Sequence, residues 1–185
     1  MTSLEFLAEA DCEQLLVVRD RRAAALAVVA VHDTAAGPAH GGIRRWPYPS
    51  LASAVTDVVA LARAMTWKCA LAGVPAGGGK AVILDRPDLD RGAAYRLVGR
   101  TVAQLGGRFF TGPDVGTTAA DLDVVAGETS FVATADGGAG DLGLATARGV
   151  YAAMGALAQH LGTGELGLLT ALGEITAPET EELAR

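Results

Sequence analysis

Two lysines, Lys68 and Lys80, stand twelve residues apart in MTWKCALAGVPAGGGKAVI, residues 65–83. They are the only lysines in the chain, and the other thirteen basic residues are arginines. Arginine stays protonated at any workable pH, whereas a lysine ammonium loses its proton when it is desolvated or crowded by another cation. A sequence that writes Arg wherever charge is wanted and Lys at two places suggests positions that need an amine. The plainer alternative is a pair of lysines on a surface loop, and spacing leaves both open. Asp114, in a loop after RFFTGP, is either a turn-forming residue or a carboxylate at the sheet edge near the lysines. Arg44 and Arg45 form a solvated pair or a functional one, and His40 is a loop residue or faces a pocket.

Other signatures fail on residue type. GGGKA is no P-loop, because Val74 and Ala81 stand where that motif requires Gly and Ser or Thr. Its glycines are expected to admit close backbone approach to a ligand or a sharp turn into the strand, with Gly78 a candidate substrate contact. GAGDLG, residues 138–143, matches G-x-G-x-x-G, but the acidic residue wanted about 20 positions on has only Glu165 and Glu174 as candidates, so the match is coincidental. Thr118 and Asp121 have the spacing of a capping box.

Composition narrows the class. The 185 residues carry a net charge of −6, which argues against nucleic acid or an anionic membrane as partner. No apolar run reaches the roughly 18 residues of a membrane span, and the acidic N-terminus is no signal peptide. Cys12 and Cys69 match no metal or redox spacing, and neither do His32, His40 and His160; a cytoplasmic setting is expected.

The elements that must position these residues alternate. A short helix is expected over residues 4–10, then strands LLVVRD and ALAVVAVHD on either side of Arg21 and Arg22, with AAGPAHGG as loop. SLASAVTDVVALARAM reads as a helix capped by Ser50, and KAVILD as a buried strand leaving the triple glycine. A helix starting at Asp88 or Asp90 runs to Gly106-Gly107. RFF (strand), TTAADLDVVAGET (helix), SFVATA (strand) and LATARGVYAAMGALAQHL (long helix) follow. The pattern predicts an α/β domain with a mostly parallel sheet flanked by helices, and ligands beyond the carboxyl ends of its strands.

Four collinear segments, VAVHDTAAGPAHGGIR, ALARAMTWKCALAGVPAGGGKAVI, RFFTGPDVGTTAADLDVVAGETSFV and TARGVYAAM, together resemble the amino-acid dehydrogenases for Glu, Leu, Phe and Val, and among them the leucine, valine and phenylalanine branch. The resemblance runs over roughly residues 15–161. It implies that Gly41 and Gly42 let substrate lie against backbone and that Lys68 holds its carboxylate. It also implies that Lys80 activates water or the carbonyl, that Asp114 shuttles protons to the substrate nitrogen, and that Thr146 lines the cleft. A lysine base useful near neutrality must fall about three pH units below its ordinary value, an energy of about 4 kcal/mol, which burial and a second ammonium both favour. The two lysines thus look like an active-site pair.

Three departures qualify the resemblance. His40 stands where leucine-type enzymes carry an apolar residue, implying a more polar substrate side chain or an added acid/base. Gly112-Pro113 is expected to stiffen the loop of Asp114. The family's second domain, which binds NAD(P), is expected to have no counterpart in these residues: 1–161 read as the substrate-binding and dimerisation domain and 162–185 as a short tail with its own helix signal at Pro178 and Glu179. The leading expectation is a cofactor-independent enzyme using Lys68, Lys80 and Asp114 on an amino acid, imine or 2-oxo acid. The alternatives are the substrate half of a split dehydrogenase, with NAD(P) on a separate chain, and a non-catalytic amino-acid-binding module. A homodimer formed through the first strands is expected in each case.

Overall fold

A computed structural model describes residues 11–134 and 142–162. Two compact units divide the chain, Met1–Gly138 and Ala139–Arg185. The first is built on a six-stranded sheet of order β1-β2-β5-β3-β6, with β4 pairing on β5 beyond β3. Its strands are β1 (Gln14–Asp20), β2 (Ala25–Asp33), β3 (Ala39–His40), β4 (Ile43–Trp46), β5 (Gly77–Leu84) and β6 (Phe109–Phe110). Its helices are α1 (Leu51–Leu71), α2 (Arg91–Gln104) and α3 (Ala119–Ala126). The second unit contributes α4 (Leu142–Leu161), which carries Thr146. The helix expected over residues 4–10 and the GAGDLG stretch through Asp141 lie outside the described residues.

Only β2 runs against the rest: it is antiparallel to both β1 and β5, while β3 and β4 lie parallel to β5 and β6 parallel to β3. The sheet is therefore mostly parallel, as the alternation of elements predicts. The β1–β2 turn is closed by Asp20, whose Oδ1 accepts from the N–H of Arg22 at 2.9 Å and of Ala23 at 3.3 Å. It also holds Ala24 at φ 51°, a left-handed conformation that costs a side chain energy.

Helices cover both faces, so the central strands read as unbroken apolar runs and not as alternation. Ala27, Val29 and Val31 of β2 and Ala81 and Ile83 of β5 face α2 and α3, meeting Tyr95, Val98, Val102, Leu122 and Val125. Val28, Ala30, Val82 and Leu84 face α1, meeting Ala54, Val55, Val58 and Ala62. Ser50 and Ser53 cap α1 reciprocally, each side-chain oxygen accepting the other's backbone N–H at 3.1 Å. Asp90 caps α2, and Thr118 with Asp121 caps α3.

Several local expectations change. The triple glycine lies inside β5 and does not precede it. Of SFVATA, the described residues 130–134 make only an isolated bridge, Val132 with Thr111. IRRW is a strand, and its two arginines point to opposite faces as pleating demands; AAGPAHGG contains β3.

Candidate active site

Lys80 sits mid-strand in β5, on the same face as Val82 and Leu84, and is only 6% exposed. A cation is thus placed at the end of an apolar stripe, under α1. Its Nζ meets Asp114 Oδ2 at 2.9 Å. The same oxygen accepts from Arg44 Nε at 3.0 Å, and Arg44 Nη1 donates to Asp57 Oδ2 of α1 at 3.1 Å. Tyr48 donates its hydroxyl to that oxygen of Asp57 at 2.5 Å.

Asp114 is held by a rigid loop. The N–H of Ile43 donates to Gly112 O and that of Arg45 to Val115 O, both at 2.9 Å, so β4 runs on alongside residues 112–115. Thr117 closes the turn, its N–H to Asp114 O at 3.0 Å and its hydroxyl to Ile43 O at 2.6 Å.

Burial pulls Lys80 below the ordinary lysine value. Asp114 opposes this through its hydrogen bond and charge, while Arg44 and Lys68 add to the depression. Burial by itself would raise Asp114, but Lys80, the Val115 N–H and Arg44 outweigh it and hold the carboxyl below its usual range. The cluster is thus poised with a firm carboxylate and a lysine pushed toward the free amine, the arrangement a proton-transfer site requires.

Lys68 lies in the last turn of α1, exposed, and acts on Lys80 through its charge. With both lysines charged, Lys68, Lys80 and Arg44 face Asp114 and Asp57, leaving one positive charge uncompensated. That excess suits one carboxylate.

The glycines serve the packing of this site. A Cβ at Gly78 would stand 2.2 Å from Thr66 N and 2.3 Å from Ala62 O, so its absence lets α1 lie close on β5. A Cβ at Gly42 would stand 2.3 Å from Pro113 O and 2.9 Å from Asp114 Cβ, and one at Gly41 would run into Gly79 O. Gly41 and Gly42 thread between β5 and the Asp114 loop. His40 is exposed and stacks on Phe110, with ring centroids 5.5 Å apart, and Phe110 meets Phe131 edge-on. Among the described residues, no cluster of three or more His, Cys, Asp or Glu side chains is set to hold a metal. Cys12 and Cys69 are unpaired thiols. No described helix is long and apolar enough to cross a membrane.

Lys68, Lys80, Asp114, Gly41, Gly42 and Gly78 belong to the sheet unit, whereas Thr146 belongs to the other. Sequence reasoning missed Asp57 and Tyr48 and left Arg44 undecided. One signal was available: Asp57 is the only acidic residue of α1.

A helix-covered, mostly parallel sheet with a buried lysine paired to a half-buried aspartate on one face defines an α/β domain. The family model described as Glu/Leu/Phe/Val dehydrogenase, dimerisation domain, matches residues 14–131, and the chain belongs to that family. It is 50% identical over 153 residues to valine dehydrogenase of Streptomyces coelicolor, covering 80% of this chain and 42% of that protein. Against leucine dehydrogenase of Geobacillus stearothermophilus it is 42% identical over 164 residues, covering 86% and 45%. Among solved structures, L-tryptophan dehydrogenase from Nostoc punctiforme superposes with TM-score 0.67 at 36% identity, covering 83% of this chain and 43% of that one. The chain spans less than half the length of these relatives.

Proposed function

We propose that this chain provides the substrate-side half of an amino-acid dehydrogenase-like site, binding an α-amino or 2-oxo acid and moving its protons. The observation that carries the reading is Lys80 Nζ, nearly excluded from solvent and 2.9 Å from Asp114 Oδ2. Lys68 holds the carboxylate, using the cluster's excess charge. Lys80, as the ammonium, polarises the carbonyl oxygen; as the amine, it takes a proton from water or from the substrate. Asp114 accepts or returns a proton at the substrate nitrogen, and His40 with its Phe110 stack borders the side chain.

The triple glycine does not fit the pyrophosphate of a nicotinamide nucleotide. The triple glycine lies within a strand and its vacant Cβ directions are filled by Asp33 O, Thr66 and Phe109, so it is no pyrophosphate cradle. The steps assigned here are therefore binding and proton transfer, with hydride chemistry left to a cofactor-binding domain of the relatives' kind. A second copy of the chain is expected to pair on the half-exposed edge strand β1.

The test follows a panel of 2-oxo acids and amino acids by NMR in D2O, without nicotinamide. Binding that Lys68→Ala abolishes, with deuterium exchange into the bound 2-oxo acid that Lys80→Ala abolishes, is the expected result. Binding and exchange indifferent to both substitutions, or absent throughout, would overturn the reading.

A further inference from the structure

Asp114 has two cationic partners, and only Lys80 has a chemical role so far. Arg44 uses one edge of its guanidinium on Asp114 and another donor on Asp57, bridging the 112–115 loop to α1. Asp57 is fixed in turn by the Tyr48 hydroxyl. Burial, then the Asp57 carboxylate, hold the Tyr48 phenol well above its ordinary value, so it stays a donor. An open cavity of about 490 Å³ lies over this array, lined by Arg44, Tyr48 and Asp57 together with Trp46 and Val115.

Resting on the functional reading above, we propose that Arg44 is the positioning residue of the site: it pins Asp114 Oδ2 alongside Lys80, while Asp57 and Tyr48 fix Arg44 and offset its charge. Arginine suits this task because one rigid plane supplies two donors at a set angle, whereas a lysine ammonium carries its three donors on a freely rotating stem and fixes no such angle. Asp57 has a second consequence. By neutralising Arg44 it keeps the guanidinium from competing with Lys68 for the substrate carboxylate. The groups that bear on Asp114 are Lys80 from β5, Arg44 from β4 and, through Arg44, Asp57 of α1 and Tyr48; Lys68 acts through Lys80.

The test reads the carboxyl carbon of Asp114 by NMR across pH, in the whole chain, for Arg44→Met, Arg44→Lys, Asp57→Asn and Tyr48→Phe. Arg44→Met removes a cation and moves the Asp114 midpoint upward. Asp57→Asn removes a carboxylate, leaves Arg44's charge to Asp114 alone and moves the midpoint downward. Charge alone would also give these signs, so Arg44→Lys separates charge from positioning: it keeps the cation but loses the fixed pair of donors, and a positioning role requires it to move the Asp114 midpoint upward as well. Opposite displacements in Arg44→Met and Asp57→Asn, with Arg44→Lys moving upward, support the assignment. Displacement of the first two in one direction, or none, or an Arg44→Lys midpoint that does not rise, overturns it. If Arg44→Met does not fold, Asp57→Asn and Arg44→Lys decide by their signs, with Tyr48→Phe giving a smaller change. Because the titration needs no ligand, it stands if the proposed function fails. Where exchange is observed, Arg44→Met and Arg44→Lys both lose about 100-fold in kcat with KM held, and full rescue by lysine would overturn the positioning role.

Discussion

The two faces of β5 differ by a single residue step. On one, Ala81 and Ile83 enter a dry core under α2 and α3, closed by Phe109 and Tyr95, both fully buried. On the other, Leu84 and Val82 begin an apolar stripe under α1 that turns at Lys80 into a charged array and at Gly78 into a close helix contact. The first face holds the sheet together, and the second uses that rigidity to keep a lysine out of water. Register makes this division unforgiving, since a slip of one residue would drive Lys80 into the α2 core.

The division is open to test from both sides. Phe109→Ala should cost the most stability, about 3–5 kcal/mol in denaturant unfolding, because it empties the α2 face beside Gly79. Gly78→Ala attacks the other face: with Thr66 N and Ala62 O in the way, α1 must shift, at about 1–3 kcal/mol and with loss of proton exchange at Lys80. A variant that lost stability but kept exchange would show that the helix contact does not set the site.

Titration should separate the faces more finely. Lys80 is depressed in the folded chain, so between its native value and the ordinary lysine value the unfolded chain binds more protons. Stability should therefore rise with pH through that alkaline window, and Lys80→Met should abolish the rise. Asp114, also depressed, contributes stability that is complete above the ordinary carboxylate value and lost as pH falls through its native one. Smallest of all, Ala24→Gly should relieve the left-handed turn residue and raise stability by about 1 kcal/mol while leaving the Lys80 array untouched.

The parts legible in the sequence were those governed by local rules. Periodicity and Ser50 marked α1, Asp90 marked α2, and an apolar run marked β2. β4 was missed because two adjacent arginines look solvated, yet a strand sends one to Asp57 and Asp114 and the other to Asp85 and Gly116. The triple glycine resembled a loop because its reason for being glycine is tertiary: Thr66, Ala62, Asp33 and Phe109 occupy the space. In the site, the rarity of lysine exposed Lys68 and Lys80, and a proline-bounded loop exposed Asp114. The Arg44–Asp57–Tyr48 array was harder, since its links to Asp114 span 70 positions and exist only once β4 and the loop lie side by side.

Lys80 is a buried lysine held in balance by its own desolvation, which disfavours the ammonium, and by Asp114, which favours it. A chain with only two lysines permits a direct measurement, because ¹³C-lysine labelling gives two side-chain signals, assigned by Lys68→Arg. Lys80 should titrate below the ordinary lysine value, and Asp114→Asn, which removes its one attractive partner, should lower it further. A Lys80 signal at the ordinary value, or one that rises in Asp114→Asn, would contradict that balance.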